Sequence, residues 1–205
     1  MNKLTTAITL SALLVSGFAS AKCVVDGEWI KTVAFNSTPS NAEKKPLPSV
    51  DCEILKGYYI RDLSPKSEFA RVTLDLDKFS IGLYAQPNID VLDLTDLDSE
   101  YQYSIDVIGS TNLEEIKLGK IEQLGQLMLD KTKITDLRFL EDVTVGDITL
   151  KQKYRMKGKK VSQKIKYFPS KDSQFCETIR EETTISISPN DTRDDIFEAC
   201  GKETK

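Results

Sequence analysis

The residues able to do chemistry are few and unevenly placed. The chain of 205 residues contains no histidine, which removes Ser-His-Asp and Cys-His nucleophile systems, histidine general bases and the usual zinc sites. Its four cysteines fall at opposite ends, Cys23 with Cys52 and Cys176 with Cys200. None has the Cys-x-x-Cys spacing of redox chemistry, and an even count points to structural disulfides of an oxidising compartment. Four cysteines allow three connectivities; the local one would close each end and leave the middle unbridged. No Gly-x-Ser-x-Gly elbow, phosphate loop, dinucleotide fingerprint or zinc motif occurs. The 32 acidic residues offer many carboxylate pairs and single out none. The chain therefore reads as non-enzymatic, with no cofactor and no metal.

Charge is the stronger signal. Lys151, Lys153 and Arg155 on one expected strand and Lys160, Lys164 and Lys166 on the next would form one basic face, and residues 148–171 contain no acid. Like charges so close repel unless water or an anion screens them. The plain account is a solvated edge whose lysines block strand-on-strand aggregation; the functional one is docking to an acidic protein surface or lipid headgroups. Nucleic acid suits neither the sequence pI of about 5.1 nor the absence of any nucleic-acid motif. Upstream, residues 79–116 hold eight acids and no lysine or arginine, among them Asp90, Asp93, Asp96 and Asp98. Clustered carboxylates favour calcium, but the spacing is not that of an EF-hand loop, so solvated turns and strand edges are the better account.

Something must position these groups. Residues 1–21 read as a cleaved signal peptide: Lys3, an apolar run over 7–18, then Ala19-Ser20-Ala21. Lys22 before Cys23 argues against a lipid anchor, and no later run resembles a membrane span, so a periplasmic or secreted product is expected. Residues 22–68 would form an N-terminal cap, strand-like over 28–35 and 57–61, with a proline-bearing loop over 36–49. A spacing of apolar, two others, apolar, one other, apolar then recurs at Phe69-Val72-Leu74, Ile89-Leu92-Leu94, Leu113-Ile116-Leu118, Leu124-Leu127-Leu129 and Val145-Ile148-Leu150. Three of the four intervals between its starts suit a repeat coil of about 20–29 residues; the short step from Leu113 to Leu124 cannot hold one. Residues 148–205 carry two period-two runs around Gly158, a β-hairpin, then a strand at 183–188. A short helix follows at 192–199, with Asp191 as N-cap and Gly201 past its end.

The string Leu124-x-x-Leu127-x-Leu129-x-x-Thr132-x-Ile134-x-x-Leu137-x-x-Leu140 resembles the bacterial internalin-like leucine-rich repeat. Thr132 stands where that family usually has an asparagine bonding the turn backbone. The resemblance implies a β-rich solenoid of short parallel strands over residues 69–147, between disulfide-closed caps. Another mainly-β or α+β single domain is the alternative. It also implies a protein partner gripped by the outward side chains of the concave sheet: Glu115, Lys117, Gln126, Met128, Asp130, Asp147, Thr149 and Lys151, with Met128 as anchor. The resulting expectation is an exported protein-binding module. An inhibitor or immunity protein occluding an exported toxin or hydrolase, and an envelope or carbohydrate binder, are the alternatives.

Overall fold

The computed structural model describes residues 22–37, 69–75, 78–84, 86–151, 153–156, 159–162, 164–179, 184–188 and 191–202, with side chains over 22–34, 78–84, 86–150, 164–179 and 194–202. The expected signal segment, Cys52, the loop beyond residue 37 and the strand expected at 57–61 lie outside them.

The chain is mainly parallel sheet. Strands β1 (Val24–Asp26), β4 (Val91–Asp93) and β6 (Glu115–Lys117) form a small sheet in the order β1-β4-β6. The large sheet holds β2 (Phe69–Asp75), β3 (Lys78–Tyr84), β5 (Gln102–Asp106), β7 (Gln123–Met128), β8 (Thr144–Lys151) and β11 (Thr184–Ser188), in the order β11-β8-β7-β5-β3-β2. Every pairing in both sheets is parallel except β2 with β3. Parallel neighbours cannot be joined by a tight hairpin. Here the crossover between two strands of one sheet runs through a strand of the other: β3 reaches β5 by way of β4, and β5 reaches β7 by way of β6. The small-sheet side continues past β6 as irregular rungs. Lys133 N–H donates to the Leu113 carbonyl, Lys166 N–H donates to the Thr135 carbonyl, and Asp136 bridges Tyr167 in parallel.

Both sheets turn their apolar residues onto one core, in which Leu92, Ile116 and Ile134 join Ile81, Ile105, Leu127 and Ile148. Each such side chain stabilises by about 1.5–3 kcal/mol relative to exposure. The expected repeat copies divide between the two sides. Leu124-Leu127-Leu129 and Val145-Ile148-Leu150 lie on and just beyond β7 and β8, whereas Ile89-Leu92-Leu94 and Leu113-Ile116-Leu118 surround β4 and β6. The short step from Leu113 to Leu124 is thus the half turn from small sheet to large. Ile134-x-x-Leu137 corresponds to Leu113-x-x-Ile116, not to the segment that precedes it. Phe69-Val72-Leu74 is β2, which runs antiparallel to its neighbour. The in-register positions along the large sheet are Phe79, Tyr103, Leu124 and Val145.

The two-residue gap of the pattern has a cause on the large sheet. Strand side chains alternate, so residues three apart should face opposite ways, yet Leu124 and Leu127 are both buried, as are Val145 and Ile148. The β5–β7 register shows why: Tyr103 pairs Leu124 and Ser104 pairs Gln126, which leaves Gly125 as an extra residue. The bulge restores the inward direction.

The strand expected at 28–35 is instead helix α1 (Gly27–Ser37). Asp26 Oδ1 accepts the Trp29 N–H at 2.8 Å, a cap that satisfies one free helix donor. Trp29, Ile30, Val33 and Ala34 are buried, a one-sided helical spacing that a short window does not separate from a strand. The C-terminal elements fall close to expectation. Strands β9 (Lys153–Met156) and β10 (Lys159–Ser162) are antiparallel, and β11 is followed by α3 (Asp191–Ala199). Gly201 sits at φ 66°. Its N–H donates to the Glu198 carbonyl and that of Lys202 to Phe197, the pair of bonds that closes a helix through a left-handed residue. Cys176 in α2 (Gln174–Thr178) is bonded to Cys200 behind α3, the expected pairing. Cys23 is disulfide-bonded too. Among the described residues no helix is long and apolar enough to cross a membrane.

Candidate binding surfaces

Short-range hydrogen bonds make the turns that aim the outward side chains. Asp93, Asp106 and Asp136 each accept the N–H two residues on, from Thr95 (3.2 Å), Ile108 (3.0 Å) and Arg138 (2.9 Å), so part of the acidic stretch is spent on turning the chain. The buried Thr132 hydroxyl donates to the Leu129 carbonyl at 2.8 Å and accepts the Ile134 N–H at 3.4 Å. The buried Ser110 hydroxyl instead ties distant segments together, donating to the Leu83 carbonyl at 2.7 Å and accepting the Gln86 N–H at 3.3 Å. Asp90 Oδ2 accepts the Cys23 N–H at 2.8 Å, which fastens the N-terminal strand to its neighbour.

The outward face of the large sheet carries two register rows. One runs Ser80, Ser104, Gln126, Asp147 and the other Gly82, Asp106, Met128, Thr149; all eight are half-exposed. Asp106 is the electrostatically unusual member: burial pushes its carboxyl above the usual range, and the nearby Asp130 charge adds to this. Of the side chains expected on a single concave face, Gln126, Met128, Asp147 and Thr149 do lie together here. Lys151 ends β8, its side chain outside the described set. Asp130 is a correction. It is 6% exposed, because the chain turns inward after Leu129 and the Asp130 carbonyl takes the Gly109 N–H at 2.8 Å. Glu115 and Lys117 are a second correction, since both stand on β6 in the other sheet. Lys117 pairs there with Asp93 at 3.1 Å, one strand away.

The small-sheet side carries the other surface, a groove of about 940 Å³ lined by Lys22, Glu114, Glu115, Ile116, Lys133, Thr135, Asp136, Arg138, Phe139, Lys164 and Lys166. Adjacent rungs of one wall supply these residues, so segments far apart in sequence meet side by side. Two rim pairs neutralise themselves. Lys22 meets Glu114 at 2.8 Å. Arg138 grips Asp136 with two nitrogens, Nε at 3.0 Å from Oδ1 and Nη2 at 2.6 Å from Oδ2, which holds the Asp136 carboxyl below its usual range. The same guanidinium lies over the exposed Tyr167 ring, 4.6 Å from its centroid, a cation–π geometry. Lys133, Lys164 and Lys166 are exposed and make no ion pair among the described residues.

The basic hairpin face is accordingly divided. β10 ends at Ser162, and Lys164 and Lys166 leave it to join the small-sheet wall, where Lys166 N–H bonds the Thr135 carbonyl at 2.7 Å. The backbone register sets Lys160 opposite Arg155 and Ser162 opposite Lys153; these side chains lie outside the described set. Sequence reasoning missed Lys22, Lys133, Arg138 and Tyr167. Phasing the second wall on Leu113 and Ile134 would have set Arg138 beside Lys117 and Thr135 beside Glu114, with Lys133 on the same rung.

The fold and its two surfaces define a β-rich, mainly parallel-sheet protein closed by a disulfide at its C-terminal end. No protein family, curated protein or solved structure matches this chain.

Proposed function

We propose that this chain is an exported, leucine-rich-repeat-like solenoid that binds another protein, without catalysis, through the outward face of its large sheet. The observation that carries the reading is the state of that face. Parallel sheets are ordinarily covered on both sides, yet here the rows through Ser104 and Asp106 remain half-exposed. Serine, glycine and threonine keep the surface low, so Met128 stands as an adaptable apolar contact among polar neighbours, a composition suited to a protein surface. The intervals along Phe79, Tyr103, Leu124 and Val145 agree with the repeat length of such proteins, about 20–29 residues. The alternation of the chain between two sheets supplies the shared core that stacked coils need. Residues 1–21 serve as the export signal.

The test is affinity capture with the oxidised mature chain as bait, run against envelope and secreted extracts of the source organism. A parallel bait carries Met128→Asp and Gln126→Lys. One dominant protein retained by the first bait and lost from the second supports the reading. Titration of that protein against both baits should then show at least a tenfold difference, about 1.4 kcal/mol. A partner indifferent to both changes removes the large-sheet face from the account.

A further inference from the structure

We propose that the groove on the small-sheet wall is a second binding site, which takes an extended acidic segment of a partner protein. Its cations come from separate segments: Lys22 before β1, Lys133 and Arg138 on the rung after β7, and Lys164 with Lys166 after the hairpin. No local turn or hairpin brings them together; only the stacking of rungs does. Lys22 and Arg138 are occupied by Glu114 and Asp136 at the rim. Lys133, Lys164 and Lys166 stand around the same recess with no ion pair among the described residues. Five cations against three carboxylates leave the recess net positive, and positive charge in a concavity focuses field and favours an anionic occupant.

The lining also restricts what that anion can be. Glu114, Glu115 and Asp136 share the recess with the lysines. A lipid surface or a uniformly sulfated polysaccharide would press negative charge against all three. A peptide can set its carboxylates beside the lysines and neutral residues beside the acids. A recess of about 940 Å³ holds a few residues of extended chain rather than a folded domain. Half-buried Phe139 lines the groove, and Arg138, whose guanidinium lies 4.6 Å from the Tyr167 ring centroid, stands beside it; together they offer a flank for a neighbouring aromatic side chain. Acidic residues around an aromatic are thus the chemistry that fits.

The site is separate from the large-sheet face and does not depend on it. The probe is a fluorescein-labelled peptide of alternating glutamate and glycine around one tyrosine, with its glutamine counterpart as the neutral control. Fluorescence anisotropy with the mature chain should show saturable binding of the glutamate peptide, weakening as salt rises, and none of the glutamine peptide. Lys164→Glu and Lys133→Glu should each weaken it about tenfold. Lys120→Glu, an exposed change outside the groove, and Met128→Asp should leave it as it is. Heparin or phosphatidylglycerol vesicles binding more tightly than the peptide would transfer the groove to a polyanion or a lipid and overturn the proposal. So would no binding of the acidic peptide, or binding insensitive to both reversals in chains whose thermal melts match the unaltered protein.

Discussion

Gly146 is a position where packing leaves almost no room for a side chain. A Cβ built on it would lie 2.6 Å from the Gly125 carbonyl oxygen, inside the 3.0 Å that real Cβ atoms keep. The obstacle is backbone of the paired strand, so Gly146→Ala must push β7 and β8 apart between two register pairs, Leu124 with Val145 and Gln126 with Asp147. Overpacking of this kind costs about 1–3 kcal/mol, against which reduced freedom of the unfolded chain returns about 0.4–1 kcal/mol. The expected net loss is about 1–2 kcal/mol, read as a lower urea midpoint at unchanged slope and a fall in Tm of roughly 2–4 °C for each kcal/mol. Gly125→Ala is the control. Its Cβ would meet only the side chain of Gln102, nearest at 3.2 Å, and Gln102 is exposed and free to swing. That variant should stay within about 0.5 kcal/mol of the unaltered protein. Equal effects of the two substitutions, or a stabilising Gly146→Ala, would show that the close approach of β7 and β8 is not what selects glycine there.

Three further outcomes follow from the turns and the large-sheet face. Thr132→Val keeps the shape but removes a buried hydroxyl with two backbone partners; it should cost about 1–3 kcal/mol in denaturant unfolding, and Thr132→Ser should restore most of that. Lys131 holds φ at 61°, a left-handed conformation costing an ordinary residue about 1–2 kcal/mol, so Lys131→Gly should raise the melting temperature and Lys131→Val lower it. Asp106 has its carboxyl raised by burial, so the folded state binds its proton more tightly than the unfolded chain. Stability from this group therefore falls as pH rises from the ordinary value of 3.8 through the folded pKa. Asp106→Asn should stabilise at neutral pH and lose that advantage below the ordinary carboxylate range, as read from melts across pH; an advantage independent of pH would refute the assignment.

Much of the candidate surface was legible residue by residue but not as an assembly. Gln126, Met128, Asp147 and Thr149 were expected outward on adjacent strands and stand there. Asp130 obeyed the same alternation, but the strand ends at Met128, and the turn carries it inward. Lys164 and Lys166 continued the period of the hairpin strand, yet their segment leaves the hairpin for a rung formed by residues 133–137. No local pattern encodes that choice, because the hydrogen bonds that make it join groups far apart in sequence, Thr135 with Lys166 and Leu137 with Tyr167. Residues 28–35 misled for the opposite reason: a local cap at Asp26 decided for helix where apolar spacing alone was ambiguous.

The sequence by itself determined which apolar side chains are buried, where much of the chain turns and that two cysteines stand near the C-terminal end. Apolar spacing along the chain and hydroxyl and carboxylate bonds to nearby backbone are local effects, legible without the fold. Only the tertiary structure decided that one apolar spacing serves two different sheets, that Glu115 and Lys117 stand on the wall opposite Met128, and that lysines from separate segments gather in one groove. Sheet membership is set by backbone pairing between strands about twenty residues or more apart in sequence, and that pairing carries no side-chain signature along the strand.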